Sequence, residues 1–87
     1  MKVYIVGIAD CEGNSITSVC ANKIIAEREL FKARDKLQKR WKELMDRSGM
    51  DEDYEEMIKN LNGNDYKNWN NYPHDCPFLK MYEVIEK

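Results

Sequence analysis

Residues 22–48 read NKIIAERELFKARDKLQKRWKELMDRS, and this stretch decides the fold of the chain. Apolar residues recur in it at spacings of three and four, which at about 100° per residue places them on one face of a helix. The residues of this apolar stripe are Ala26, Leu30, Ala33, Leu37, Trp41 and Leu44. The spacing predicts a long amphipathic helix against which the rest of the chain must pack.

The residues that flank the stripe favour definite helix boundaries. Asn22 stands where an N-cap is needed, because its side-chain oxygen can accept hydrogen bonds from the backbone of the first turn. Gly49 can take the left-handed conformation that closes a helix C-terminus. We therefore predict that the helix ends at Arg47 or Ser48.

Upstream of the long helix, two segments are predicted to form a β-hairpin. Residues 2–9 are rich in β-branched and aromatic residues, and residues 10–14 have the composition of a turn. Residues 15–20 alternate more weakly and are predicted to pair back as an antiparallel strand. Both faces of the first strand are apolar, which favours a central place in the sheet or a cover on its second face.

Downstream, the sequence predicts a second helix, a loop and a third strand. Asp51 is suited to cap the second helix, and residues 62–63 end it. The apolar residues of that helix, at helical spacing, are Tyr54, Met57, Ile58 and Leu61. Residues 64–77 lack any period and predict an ordered loop, whereas residues 78–86 return to strand character. The predicted order is β-β-α-α-β, an α+β fold with a small antiparallel sheet and both helices packed on one face.

The composition is that of a single folded domain spanning residues 1–87. A chain of 87 residues is too short for two cores, and 43% hydrophobic with 34% charged residues is ordinary for a globular protein. The apolar run at residues 3–9 is too short to span a bilayer and lacks a signal-peptide cleavage pattern, so we expect a cytoplasmic protein. The net charge of -2 gives no global electrostatic case for binding nucleic acid or a membrane.

The layout resembles a group of small phage- and prophage-encoded proteins. These proteins open with a Met-Lys-Val-Tyr-Ile-Val strand, form a hairpin and begin a helix with a capping residue. The matching residues here are Met1 to Val6, Val19, Asn22, Lys23, Ala26, Leu30 and Met81 to Val84. The resemblance is architectural and covers part of the chain. It implies an accessory protein of a mobile element in the cytoplasm of a bacterial host, for which a defence or regulatory complex, such as a CRISPR effector, is the kind of target. We therefore predict a non-enzymatic protein that binds and modulates a host protein, for example as an inhibitor of such a defence system.

No set of residues converges on catalysis, so we predict that the chain is not an enzyme and uses no cofactor. Cys11, Cys20, His74 and Cys76 carry zinc-binding side chains, but there is no Cys-x-x-Cys, and a hairpin places Cys11 and Cys20 at opposite ends of the sheet. His74 and Cys76 are too close in sequence to present both side chains inward as a nucleophilic pair. We therefore predict no metal site and reduced thiols.

Three surfaces are predicted to be available for a partner. The first combines an acidic helix with an aromatic loop, and its residues are Asp51, Glu52, Asp53, Glu55, Glu56, Tyr66, Trp69 and Tyr72. The second is the basic stripe of the long helix, formed by Arg28, Lys32, Lys36, Lys39, Arg40 and Arg47. The third is the sheet face opposite the helices, which is predicted to show Tyr4, Val6, Ile8, Tyr82 and Val84.

Each surface has a functional and a purely structural interpretation. The acidic helix or the aromatic loop is the favoured contact with a host protein, although aromatic residues in a small protein more often belong to the core. The basic stripe is suited to an acidic protein surface or to phosphates, and it supports a runner-up function, a small nucleic-acid-binding or regulatory domain. Its structural alternative is a solvated face with two helical ion pairs, Asp35 with Lys39 and Glu43 with Arg47. The apolar sheet face would be covered by a homodimer, a foreign partner or residues 64–77.

Overall fold

A computed structural model describes residues 1–49, 51–71 and 74–85 of the chain. Its elements are β1 (Lys2–Asp10), β2 (Gly13–Cys20), α1 (Lys23–Ser48), α2 (Asp51–Lys59), a short 3-10 helix (Tyr66–Asn68) and β3 (Cys76–Glu83). The predicted β-β-α-α-β order and the α+β class are confirmed. In the described ranges, no helix is both long enough and apolar enough to cross a membrane.

The three strands form one antiparallel sheet in the order β2-β1-β3. The apolar first strand is therefore central, as predicted. In the middle of the sheet, Val6 lies opposite Ser18 on one side and Leu79 on the other. Residues directly opposite one another point to the same face, so this register fixes which side chains share a surface.

The pairing of β1 with β2 contains a bulge at Thr17, which has no partner across the ladder. Its hydroxyl donates a hydrogen bond to a carbonyl oxygen of β1 at 3.1 Å. Ile16 pairs with Gly7, and Val19 pairs with Ile5. Because both partners are odd-numbered residues of β1, the bulge brings Ile16 and Val19 to the same face of the sheet.

The ends of α1 form as the sequence predicts. The side-chain oxygen of Asn22 accepts hydrogen bonds from the backbone nitrogens of Ile24 at 2.7 Å and Ile25 at 3.3 Å. Gly49 has a φ of 69°, and its N–H donates to the carbonyl oxygen of Met45 at 3.2 Å. Both ends are thus satisfied by the residues whose chemistry suits them.

The apolar stripe of α1 packs onto the sheet. Ala26 and Leu30 are fully buried, and they form one core cluster with Val6, which is also fully buried. Tyr4 and Leu79 pack against this cluster from the same side. The packing face of the long helix is therefore confirmed.

The faces of β1 are the reverse of those predicted. Tyr4, Val6 and Ile8 were expected to face away from the helices, but Val6 is in the core, and Ile8 lies beside two residues of α1, Ala33 and Leu37. That prediction is wrong for these three residues, because both faces of β1 are apolar and alternation alone cannot say which face the helix covers.

We call the side of the sheet away from α1 the outer face. It consists of Val3, Ile5, Gly7, Ile16, Val19, Phe78, Lys80 and Tyr82. The ring of Phe78 lies over Gly7 so closely that a Cβ there would be 2.6 Å from its Cζ. Tyr82 is on this face as predicted and is 49% exposed, while Val84 follows the end of β3 and is 39% exposed.

Several element boundaries differ from the prediction. β2 begins earlier, at Gly13, and α2 ends at Lys59, before Leu61. Asp51 is the first residue of α2 instead of its cap, and residue 50 lies outside the described residues. β3 begins at Cys76 and ends at Glu83, so it includes Pro77, which pairs opposite Ile8. An edge strand tolerates proline where the missing N–H would point away from the sheet, and β3 is such an edge.

Candidate functional site

In the loop that was predicted to contact a partner, Trp69 belongs to the core and the half-buried Tyr66 packs against it. Trp69 is 9% exposed, and its ring centroid lies 5.9 Å from that of Phe31 and 6.3 Å from that of Tyr66. All three rings meet edge to face, which is a favourable arrangement for aromatic pairs. Trp69 is therefore not available as a surface contact, and the prediction is wrong for it. Tyr72 lies outside the described residues.

Arg34 of α1 is not among the predicted site residues. It contacts this aromatic cluster and also forms hydrogen bonds to the segment that follows α2. Its Nη1 donates hydrogen bonds to the carbonyl oxygens of Leu61 at 2.9 Å and Gly63 at 3.0 Å. The guanidinium carbon lies 5.3 Å from the ring centroid of Trp69 and 5.5 Å from that of Phe31. Arg34 thus satisfies backbone acceptors after α2 while stacking on aromatic rings.

Gln38 makes a second polar connection between the helices. Its Nε2 donates to the carbonyl oxygen of Ile58 at 2.8 Å and to the side-chain oxygen of Asn62 at 2.9 Å. A signal for both Arg34 and Gln38 exists in the sequence, since helical spacing places them beside the apolar stripe and not on its opposite side. Polar side chains beside the apolar stripe of a helix indicate hydrogen-bond partners within the same fold.

The acidic residues are collected on α2, as predicted. Asp53, Glu55 and Glu56 are exposed, and Asp51 and Glu52 belong to the same helix. Tyr54, Met57 and Ile58 pack against the core from its other side. Asp53, Glu55 and Glu56 are thus on the solvent side of a packed helix, and no described contact brings these three acids together with the aromatic cluster.

The basic stripe has fewer ion pairs than a solvated face with two helical ion pairs would have. The expected pairs of Asp35 with Lys39 and of Glu43 with Arg47 are not among the ion pairs of the described residues. Asp35 instead accepts a hydrogen bond from Nε of Arg34 at 2.6 Å. Within the described ranges, one stripe residue, Lys32, has an ion pair, to Glu29 at 3.3 Å. The stripe therefore presents exposed positive charge along α1.

Part of the stripe forms one wall of a groove of about 740 Å³ between α1 and β2, which we call the basic groove. Lys32, Lys36 and Arg40 line that wall on successive turns. The opposite wall is formed by β2 at Thr17 and Ser18. Apolar side chains line the groove between the walls, and they are Ile8, Ala33 and Leu37. The groove combines cations, hydroxyl groups and an apolar surface.

Two carboxylates complete the described lining of the basic groove, Glu29 and Asp75. Glu29 is paired with Lys32, so the positive charge of the groove is concentrated at Lys36 and Arg40. No aromatic side chain is among the described lining residues. The groove is thus suited to an anionic group held by charge and hydrogen bonds, without stacking.

The strand that borders the basic groove is an edge of the sheet that neither charge nor proline protects, and its one irregularity is the bulge at Thr17. Gly13–Cys20 contains no charged residue and no proline, although natural edge strands commonly carry one or the other. The opposite edge, β3, carries both Pro77 and Lys80. The two edges of the sheet therefore differ in how readily they can pair with another strand.

A second pocket, of about 500 Å³, lies between β3 and the 3-10 helix. Tyr4, Trp69 and Cys76 are among its lining residues. Burial raises the pKa of the Cys76 thiol, so that it stays protonated near neutral pH. This pocket shares its wall with the aromatic cluster and is explained by the packing of that cluster.

The cysteine and histidine residues do not form a cluster in the described part of the chain. Cys11 is in the turn between β1 and β2, whereas Cys20 ends β2 at the other end of the sheet. Among the described residues, no group of three His, Cys, Asp or Glu side chains is placed to hold a metal ion. The basic groove is therefore the strongest candidate site.

Comparison with protein-family models, with curated proteins and with solved structures found no match to this chain. Its function must therefore be inferred from the geometry of the chain itself.

Proposed function

We propose that this chain is a non-enzymatic binding protein whose basic groove takes an acidic segment of a partner protein. The observation that carries the proposal is the groove itself, in which Lys36 and Arg40 have no ion pair to a described residue. Oppositely charged surfaces steer association and select partners. The resemblance to phage and prophage proteins suggests a partner in the bacterial host. In its most specific form, the proposal makes that partner a defence protein such as a CRISPR effector.

A protein partner fits the basic groove better than the runner-up, a nucleic acid. Proteins that bind single strands usually combine positive charge with aromatic residues on which bases stack. The described aromatic residues Phe31, Tyr66 and Trp69 pack together in the aromatic cluster, and none of them lines the groove.

The proposal is tested with a fluorescent eight-residue peptide of alternating valine and glutamate, whose binding is followed by anisotropy at low and at physiological salt. We expect salt-sensitive binding, and we expect Lys36→Glu with Arg40→Glu to weaken it by at least about tenfold, because attraction becomes repulsion. The matched control is Arg28→Glu with Lys42→Glu, which changes the net charge equally at exposed residues of α1 outside the groove. Equal loss in the two double variants, or no binding by the natural chain, would refute the proposal.

The same assay compares the peptide with an eight-nucleotide oligothymidylate. We expect the peptide to bind more tightly, because the groove offers no surface for base stacking. Tighter binding of the oligonucleotide that is lost with Lys36→Glu and Arg40→Glu would favour the nucleic-acid function instead.

A further inference from the structure

We infer that the partner segment binds as an extra strand along the free edge of β2, so that the ligand is an extended peptide with an acidic residue at every second position. This inference rests on the proposed function and adds the conformation and the sequence pattern of the ligand. It is carried by the juxtaposition of this free edge with the cations of α1.

The edge offers backbone groups for pairing. β2 pairs with β1 on one side, and in the described sheet no strand lies on its other side. Adding a strand to an exposed edge is a recurrent mode of peptide recognition, in which main-chain hydrogen bonds give affinity. No lysine, glutamate or proline in Gly13–Cys20 opposes this mode.

The spacing of the cations matches the repeat of a strand. Lys32, Lys36 and Arg40 are four residues apart, which corresponds to a rise of about 6 Å along the helix. Alternate residues of a β-strand lie on one face and are about 6.6 Å apart. On an added strand that runs alongside α1, acidic side chains at every second position would therefore meet successive cations of the groove.

The other face of the added strand should be apolar. Its remaining side chains would point to the outer face, beside Ile16 and Val19, which are 65% and 63% exposed. The bulge at Thr17 is what brings both of these residues to that face. The expected ligand thus has acidic side chains on the face toward α1 and β-branched or other apolar side chains on the face toward the outer face of the sheet.

A second copy of this chain does not fit the site as well as an acidic peptide. β2 itself carries no acidic residue, so two copies joined through β2 would leave the cations of both grooves uncompensated. β3 contains Lys80 and begins next to Asp75, and its Pro77 cannot donate a ladder hydrogen bond. An acidic strand of a different protein is the occupant that can both pair with the backbone of β2 and compensate the cations of the groove.

The first test uses ligands that differ in sequence order and in backbone chemistry. The parent is the alternating valine-glutamate peptide, and a control of the same composition carries four valines followed by four glutamates. Two further peptides are N-methylated, one at the valines and one at the glutamates. Because alternate amides of an added strand point toward β2 and away from it, we expect one methylated peptide to lose at least about tenfold in affinity and the other to stay within about twofold. The block peptide should also bind at least about tenfold more weakly than the parent.

The second test is amide hydrogen exchange by nuclear magnetic resonance, with and without the parent peptide. We expect added protection of β2 amides that have no partner in β1, and unchanged exchange in β3. If the parent binds through Lys36 and Arg40 but both methylated peptides behave alike, or if β2 gains no protection, the strand mode is refuted while the proposed function stands. If the parent peptide does not bind, both are refuted.

Discussion

At the scale of single residues, Arg34 shows why charge patterns alone misassign roles. The sequence places six basic residues of α1 on an exposed stripe, and Arg34 differs from them only in its angular position. Its side chain is 13% exposed and connects α1 to the carbonyl oxygens of Leu61 and Gly63. A cation is expected in solvent by default, so its burial depends on acceptors that the sequence does not reveal.

Replacing Arg34 with methionine should destabilise the fold by about 2 kcal/mol, because the part-buried carbonyl oxygen of Leu61 and the exposed one of Gly63 lose a charged donor while the apolar stem is kept. Urea denaturation measures the change. The matched control is Arg28→Met on the exposed side of the same helix, where we expect a change within about 0.5 kcal/mol. Similar losses in the two variants would show that the contacts of Arg34 do not stabilise the fold.

The thiols should differ in their reactivity at alkaline pH. Burial raises the pKa of Cys76, whereas Cys11 is exposed in a turn, so we expect iodoacetamide to modify Cys11 first. The raised pKa also means that the unfolded chain loses its Cys76 proton at a lower pH than the folded chain. The protonated Cys76 thiol therefore makes its whole contribution to the stability of the fold at pH values below the pKa of Cys76 in the unfolded chain. That contribution is lost as the pH rises through the pKa of Cys76 in the folded chain. Mass spectrometry of partly alkylated protein checks the order, and faster modification of Cys76 would contradict it.

At the scale of elements, the sequence predicted where α1 begins and ends. It did not predict which face of the sheet α1 covers. Asn22 and Gly49 act through local hydrogen bonds and backbone geometry, which a short stretch of sequence contains. The covered face of β1 depends on its neighbour in β3, where Leu79 pairs opposite Val6 and joins the core. The early start of β3 was missed because proline usually ends a strand, and only the sheet order shows that β3 is an edge.

Replacing Asn22 with alanine should cost about 1 kcal/mol of folding free energy, because the backbone nitrogens of Ile24 and Ile25 lose their acceptor. Asn22→Ser, which keeps a side-chain oxygen, should retain most of the stability. Thermal unfolding of the three proteins measures the differences. An alanine variant as stable as the natural chain would mean that α1 is held by packing alone.

At the scale of the whole molecule, the basic groove could be predicted only in part. The stripe of α1 follows from helical spacing, but its proximity to β2 depends on which flank of the helix faces that edge. The same uncertainty affects the outer face, whose apolar character was predicted while most of its residues were not. A long-range arrangement of this kind is fixed by strand register, which local sequence does not specify.

Self-association through the outer face should be weak. Three strands of eight or nine residues cover on the order of 400 Å², against roughly 800 Å² per partner in a standard interface. We therefore expect a monomer at low micromolar concentration, and we expect any dimer at higher concentration to be reduced by Ile16→Ser with Val19→Ser, which removes exposed apolar surface. Sedimentation equilibrium measures this, and a dimer that persists at nanomolar concentration would contradict it.

The pairing of β1 with β3 has a consequence for the order in which the chain folds during synthesis. Lys2 lies opposite Glu83 and Ala9 opposite Cys76, so the central strand leaves the ribosome before the other two strands and receives one of its two neighbours last. The β1–β2 hairpin and α1 are contiguous in sequence and can form earlier. Until residues 76–83 have been made, one edge of the most apolar strand stays unpaired, and the nascent chain is most exposed to misassociation during that interval.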